Sequence, residues 1–538
     1  MRRFMSLSLA AIMTVGLMAG AVSVSADDYV PTISETIADE CKMIGTDPTN
    51  LDPFYGNKSG KNIFFQVYQR LYGMDANGQL YGTLAKDYEV DDTGLVYTVH
   101  LYDGITDQEG RPFTASDVVF SYKTWKEEGF SKNIPKLDID TGIVAIDDTT
   151  VQFTFSEPIT EYNELFYYFG QNDLTTQAAY EASPSQLASD ACGTGPYRIT
   201  EYTPGVSVVF ERWDDYWQKD ESVIEAAQMA NVRKITYYFI SENEQKAVAI
   251  QTGTADVCTD MNYDAAMDFE DGGIYDDGFA VYKFWDNDVN AMFFNCSDES
   301  VMADKNLRLA VGYAINSDVI TACLGDGVGQ TIYGLGGSYY SDYDAEYWAD
   351  RDDYEHNYDV EKAKELIAAS NYNGETIKIM CNTSDRGGVR KTMCEVIGSF
   401  FDEVGLKYEI LALDSTTEKT YRDELDKWDI DVLGMNANDS VVNVWYAKFD
   451  YSMSTTGDMT WFGLVDDEMI SLLKTARNKD TYSEEAINAF SEYVIDNAYA
   501  YSLNELWKCV VYNSDLIDGV ANSGAQSQIL AGCMSYVE

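Results

Sequence analysis

Residues 191–205 read ACGTGPYRITEYTPG, and the sense of that run separates an anion-handling enzyme from a quieter protein. A Gly-rich turn cradles phosphate when it opens a helix, because the free N–H groups of the first helical turn face the anion. Here Pro196 removes one donor, and YRITEY (197–202) alternates as a strand does. The run is therefore read as a turn that starts a strand. Working outward, VSVVFERW (206–213) alternates again across the Thr-Pro-Gly turn. NVRKITYYFI (231–240) is a strand, ENEQKAVAIQTG (242–253) a helix stopped by Gly253, and TADVCTDM (254–261) a further strand. Strand, helix, strand in that order predicts a parallel α/β layer.

Upstream, KNIFFQVYQRLYGM (61–74) has apolar residues at helical spacing. YEVDDTGLVYTVHLYDGI (88–105) and GIVAIDDTTVQFTFSEP (142–158) read as hairpins, with a helix over TASDVVFSYKTWKEEG (114–129) capped by Thr114 or Ser116. Downstream, a second α/β layer starts at NAMFFN (290–295). Its helices are DKNLRLAVGYAIN (304–316), VEKAKELIAASNY (360–372) and GVRKTMCEVIGSFFDEVGL (388–406). Its strands are ETIKIMCN (375–382), KYEILAL (407–413) and WDIDVLGMN (428–436), and helices over 466–478 and 483–498 follow. No internal repeat or low-complexity linker interrupts the pattern.

At 538 residues the chain exceeds what one core organises, so several lobes are expected. Ninety acidic against 37 basic residues give a net charge of -53, spread along the chain. That field repels phosphate backbones and anionic lipid, which sets aside nucleic acid and a charged membrane surface as partners. Arg2 and Arg3 precede an uncharged run to Val24, and Ser25-Ala26 offers small residues for cleavage. Residues 1–26 thus have the layout of a secretory signal, with a retained anchor as the rival. Nine cysteines carry no Cys-x-x-Cys pair and no metal-ligand spacing, and one or two disulfides are left unassigned. Only His100 and His356 are present, too few for a triad or a zinc cage.

Six stretches in order carry a resemblance: LDPFY (51–55), the run 71–105, GRPFTASDVVFSY (110–122), the run 193–217, IQTGTADV (250–257) and NLRLAVGYAINSDVI (306–320). The chain resembles the extracytoplasmic solute-binding proteins of ABC importers, in the oligopeptide and dipeptide branch. The resemblance implies an α/β two-lobe clamp of the class II periplasmic-binding type, with an extra subdomain inserted in the first lobe. It places the signal at 1–26, the first lobe at 27–56, 190–286 and 501–538, the insert at 57–189 and the second lobe at 287–500. It implies binding and release without catalysis or cofactor, by a monomer that hands solute to a permease driven by an ATPase. Membrane contact would run only through the permease or an N-terminal anchor, in the periplasmic space or on the outer face of the cell membrane.

The cargo implied is a short peptide, with an oligosaccharide as the alternative and a secreted enzyme as the more distant one. A peptide's α-ammonium needs a carboxylate, since a buried charge must be paired. In peptide-binding relatives that acid lies in a Trp-x-x-Asp-Tyr-x-Asp-Pro-like segment after the strand written here WDIDVLGM. This chain has GMNANDSVVNVW, which puts Asn438 at the matching position and Asp439 beside it. Either Asp439 takes the role after a shift of one, or the ligand presents no amine there; an Asx turn is the structural alternative. Asp47, before LDP, is a second ligand-proximal acid, or the start of a turn at Pro48. Arg390 is a candidate partner for a carboxylate, and Trp445 a candidate cleft aromatic.

Overall fold

The computed structural model describes residues 29–55, 64–75, 78–127, 134–286, 288–383, 388–436, 440–454, 457–522 and 529–537. The signal-like segment 1–26 lies outside them. The chain begins the first lobe with β1 (Ala38–Gly45) and then leaves for an inserted unit. That unit is a four-stranded antiparallel sheet of β2 (Ala85–Val90), β3 (Val96–Leu101), β4 (Ile143–Ala145) and β5 (Thr150–Thr154), in the order β2-β3-β5-β4, with helix α1 (Ala115–Glu127) packed on it. The DDTG turn closes because Asp91 Oδ1 accepts from Leu95 N and Val96 N while Gly94 takes φ +71°. Helix α1 starts where Asp117 accepts from both the N–H and the hydroxyl of Thr114. A core from Phe54 to Leu174 holds the unit together.

One expectation fails in this region. Among the described residues 64–74 only Phe64–Val67 is helical; Gln69 bridges to Leu174, and Tyr72–Met74 is a strand. Phe64, Val67, Tyr68, Leu71 and Tyr72 are all buried. A segment enclosed on several sides shows apolar residues at spacings that mimic a helix.

The chain re-enters the first lobe at Gly193. Gly193 and Gly195 of the opening run serve close approach and not anion binding. A Cβ on Gly193 would lie 2.0 Å from the Val67 carbonyl oxygen, and one on Gly195 2.5 Å from that of Gln66. Gly195 N donates to Val67 O at 2.8 Å and Gln108 N to Gly193 O at 2.9 Å, so the end of the short helix at 66–67 and the turn 193–195 press together. The lobe continues with β6 (Tyr197–Thr203), β7 (Ser207–Arg212), β8 (Val232–Phe239), helix α2 (Asn243–Gln251), β9 (Val257–Met261) and β10 (Phe279–Trp285). β1 lies parallel to both β8 and β9.

β11 (Asp288–Phe294) opens the second lobe, followed by α3 (Lys305–Ala314), β12 (Gly329–Thr331), α4 (Val360–Ala369), β13 (Thr376–Asn382), α5 (Val389–Val404), β14 (Lys407–Leu413) and β15 (Ile430–Asn436). Helices α6 (Asp467–Arg477) and α7 (Glu484–Asp496) precede β16 (Ala500–Asn513). β13 is parallel to both β14 and β15. A core running from Val289 to Leu503 fills this lobe.

β16 unites the halves. Its first residues pair with β11 and its last with β9 and β10, so one twelve-stranded sheet runs β14-β13-β15-β11-β16-β9-β1-β8-β7-β6, with β10 and β12 also on β16. All nine cysteines are free thiols, so the disulfides left open by the sequence are absent. No described helix is long and apolar enough to cross a membrane.

Candidate functional site

In open α/β sheets the ligand crevice lies beyond the carboxyl ends of the parallel strands. In the first lobe those ends are Gly45, Phe239 and Met261; β16 runs antiparallel to β9, with Met261 opposite Cys509. Going back along β16 from Cys509 therefore leads off that carboxyl edge and into the second lobe. There Asp288, the first residue of β11, stands opposite Asn436, the carboxyl end of β15. The two carboxyl edges thus face each other across the two crossings, residues 285–288 and 504–507. A crevice closed by bending at two strands follows from this arrangement.

At the crossings Trp285 and Trp507 are cross-strand partners whose rings stack at 3.4 Å, and the Trp285 Nε1 is enclosed without a partner. Next to them Glu505 accepts from Gln330 Nε2 at 2.6 Å and from Ser338 N at 2.7 Å, and burial pushes its carboxyl above the ordinary range. Asn290 Nδ2 donates to Asn504 Oδ1 at 2.8 Å, and Asn504 Nδ2 to Thr321 Oγ1 at 3.1 Å. This buried amide chain fixes β11 to β16 just past the bend.

Asp47 lies in the loop that leaves β1 at the carboxyl edge of the first lobe. Its Oδ1 accepts from Tyr202 Oη and Thr49 N, each at 2.8 Å, and its Oδ2 from Gly205 N at 2.6 Å. The carboxylate ties the exit of β1 to the tip of the β6–β7 hairpin. Arg390 lies in the first turn of α5, at the carboxyl edge of the second lobe, and is enclosed. Its Nε donates to Asn290 Oδ1 at 3.0 Å and its Nη2 to Asp288 Oδ2 at 2.8 Å. Gly434 makes room for this pair, because a Cβ there would come within 2.0 Å of Arg390 Nη2 and 2.1 Å of Asp288 Oδ1. These contacts hold both side chains at the crevice edges.

Asn438 and Asp439 lie outside the described residues. Just beyond them Val441 N donates to Asp342 Oδ1 at 2.6 Å. Trp445, expected on the cleft wall, is 0% exposed and sits in the core of the second lobe, its ring 6.2 Å from that of Phe293. Asp47 thus lies on the first lobe, Arg390 at the edge of the second, and Trp445 inside the core of the second. The aromatic pair at the crossings was missed by sequence reasoning, because its two members are 222 residues apart and only strand register brings them together. Of the two histidines, His100 pairs with Asp87 on a hairpin, and His356 stacks on Tyr333 with Asp353 at 3.0 Å. Among the described residues no group of three His, Cys, Asp or Glu side chains is arranged to hold a metal.

Comparison with known proteins agrees with this geometry. Residues 79–461 match the family described as bacterial extracellular solute-binding proteins, family 5. The glutathione-binding protein GsiB of Pectobacterium atrosepticum is 24% identical over 440 residues, covering 78% of this chain and 75% of that protein. GsiB of Escherichia coli strain K12 is 23% identical over 432 residues, with the same shares. A putative peptide-binding protein AppA from Clostridium difficile superposes with a TM-score of 0.75 at 19% identity, over 93% of this chain and 100% of that one. The dipeptide-binding protein of Pseudoalteromonas sp. SM9913 in complex with Met-Leu gives 0.71 at 18% identity, over the same shares. A match that spans well over half the sequence, on a sheet whose two carboxyl edges face each other, shows that the chain belongs to the extracellular solute-binding proteins of family 5.

Proposed function

We propose that this chain is the extracytoplasmic binding subunit of an ABC importer for short peptides, which encloses its cargo between the two lobes and delivers it to a permease powered by an ATPase. The observation that carries the reading is the pair of carboxyl edges facing one another across two crossings. The names of the relatives support the cargo class: two bind glutathione and one is a dipeptide-binding protein. Glu505 and the Trp285/Trp507 pair lie at the bend, and Asp47 and Arg390 brace the loops that frame the crevice. Asn438 and Asp439 remain the proposed contacts for the cargo's amine end. Residues 57–189 form the insert in this scheme, and the lobe division falls at 286–287 and near 501. Export directed by residues 1–26 completes the proposal.

A thermal-shift and calorimetry panel of reduced glutathione, Met-Leu, a nonapeptide and maltotriose tests it. A ligand at a hundred times its Kd stabilises the fold by about 2.7 kcal/mol, which reads as a rise of several degrees in a cooperative transition. At least one peptide is expected to give that rise. A shift with maltotriose and none with any peptide would overturn the cargo assignment.

A further inference from the structure

The lobes also touch away from the crossings. Residues 159–162 of the insert lie against residues 477–482, the end of α6 and the start of its link to α7 in the second lobe. Tyr162 N donates to Arg477 O and Lys479 N to Thr160 O, both at 2.8 Å, as an antiparallel bridge between Glu161 and Asn478. The Arg477 guanidinium spans both sides, with Nη2 2.5 Å from Glu161 Oε2 and Nη1 3.0 Å from Asp450 Oδ2. Lys479 Nζ donates to Ile159 O at 2.7 Å. The rings of Tyr162 and Tyr482 are parallel within 1° and 3.7 Å apart.

The insert's side of this contact is also held by hydrogen bonds within the insert. Glu164 Oε2 accepts from Thr160 N at 3.0 Å, from Glu161 N at 3.1 Å and from Lys136 Nζ at 2.9 Å. On the other side, Tyr482 Oη donates to Asp342 Oδ2 at 3.3 Å, and Asp342 also receives Val441 N, in the segment that leaves the carboxyl edge of β15. The contact is therefore built from a hydrogen-bonded turn and a residue wired to the crevice edge.

We propose that Glu161 and Tyr162 with Arg477 and Tyr482 form a closure latch, positioning residues that hold the insert on the second lobe when the clamp shuts and so set how long solute is retained. This rests on the two-lobe clamp reading above. Because the latch residues lie away from the crossings, losing them lowers the population of the closed state and leaves both crossings intact. Dissociation then speeds up while association changes little.

The test uses the full chain with Tyr482→Ala and, as a milder second variant, Glu161→Gln. Amide exchange is followed at Tyr162 and Lys479, with the amides of β5 and α6 as controls for folding within each lobe. Wild type is expected to protect the two bridging amides. Tyr482→Ala should release them while the controls hold, and should enlarge the radius of gyration in small-angle scattering. With reduced glutathione or Met-Leu as probe, dissociation should quicken about tenfold in Tyr482→Ala and less in Glu161→Gln. Unprotected bridging amides in the wild type, or protection unchanged in Tyr482→Ala, would overturn the latch. If neither probe binds, the peptide reading fails while the exchange arm still decides the latch. If a probe binds and leaves both variants at the wild-type rate, the latch does not govern retention.

Discussion

At the scale of single residues, position was legible and hydrogen-bond partners were not. Asp47 and Arg390 are indeed at the carboxyl edges, yet their hydrogen bonds run to the protein's own groups. A charged residue near a crevice looks the same in sequence whether it meets a ligand or a buried Asp288, because the partner lies 102 positions away. Trp445 shows the converse, since indole is large enough to serve as core or as platform and only packing decides. Glu355 escaped sequence reasoning altogether, within the acidic run 350–359. Its Oε2 accepts from Gly334 N at 2.9 Å while its Oε1 is enclosed without a partner. Burial, reinforced by Asp353, raises the carboxyl well above its ordinary value of 4.5. The folded state then keeps a proton that the unfolded chain releases. Its stabilising share is complete below pH 4.5 and is lost as pH climbs through the raised folded value. Glu355→Gln keeps an acceptor for Gly334 N and removes the titration. The melting temperature of wild type is therefore expected to decline against that of Glu355→Gln as pH rises from about 4 to 8. Parallel curves in calorimetry would show that this carboxyl does not retain its proton.

At the scale of elements, the glycines of the opening run allow a direct check of why they are there. If Gly193 serves the approach of two backbones, Gly193→Ala forces a Cβ to within 2.0 Å of a carbonyl oxygen that belongs to the main chain and cannot swing aside. Overpacking of this kind costs about 1–3 kcal/mol, and chemical denaturation should show a lower midpoint with an unchanged slope. A variant as stable as the wild type would mean that 66–67 and 193–195 can separate freely. Most other elements were readable because each carries its own signal. Alternation marked the hairpins and apolar stripes marked α4, α6 and α7, whose first turns the structure shows capped by Asp359, Asp466 and Ser483, each accepting from the third residue on. β16 carried none. Its residues 500–506 are all buried, so polar and apolar positions do not alternate, and Ser502, Asn504 and Glu505 break the apolar run that would mark a central strand. The strand that joins the lobes was thus the hardest to see, and with it the Trp285/Trp507 pair and the bend itself.

At the scale of the whole molecule, charge is the property that sequence states outright. A net charge of -53 spread along the chain gives the molecule a negative field. Such a field acts on the approach of cargo before any contact forms, and its reach is about one Debye length, ~8 Å at physiological ionic strength and ~30 Å at 0.01 M. It therefore acts on association and leaves dissociation nearly untouched, the opposite of what the latch variants change. Three tripeptides that differ only in a central Lys, Ala or Glu separate the two effects. At low salt the Lys peptide is expected to associate fastest and the Glu peptide slowest, with a spread of about tenfold or more. Raising salt should slow the first, quicken the last and bring the three together, while each dissociation rate stays within about twofold. Stopped-flow fluorescence, with the tryptophans at the bend as reporters, measures both rates in one series. Three association rates with the same salt dependence would show that the field is cancelled at the mouth of the crevice. The acidic surface would then serve the protein only against self-association.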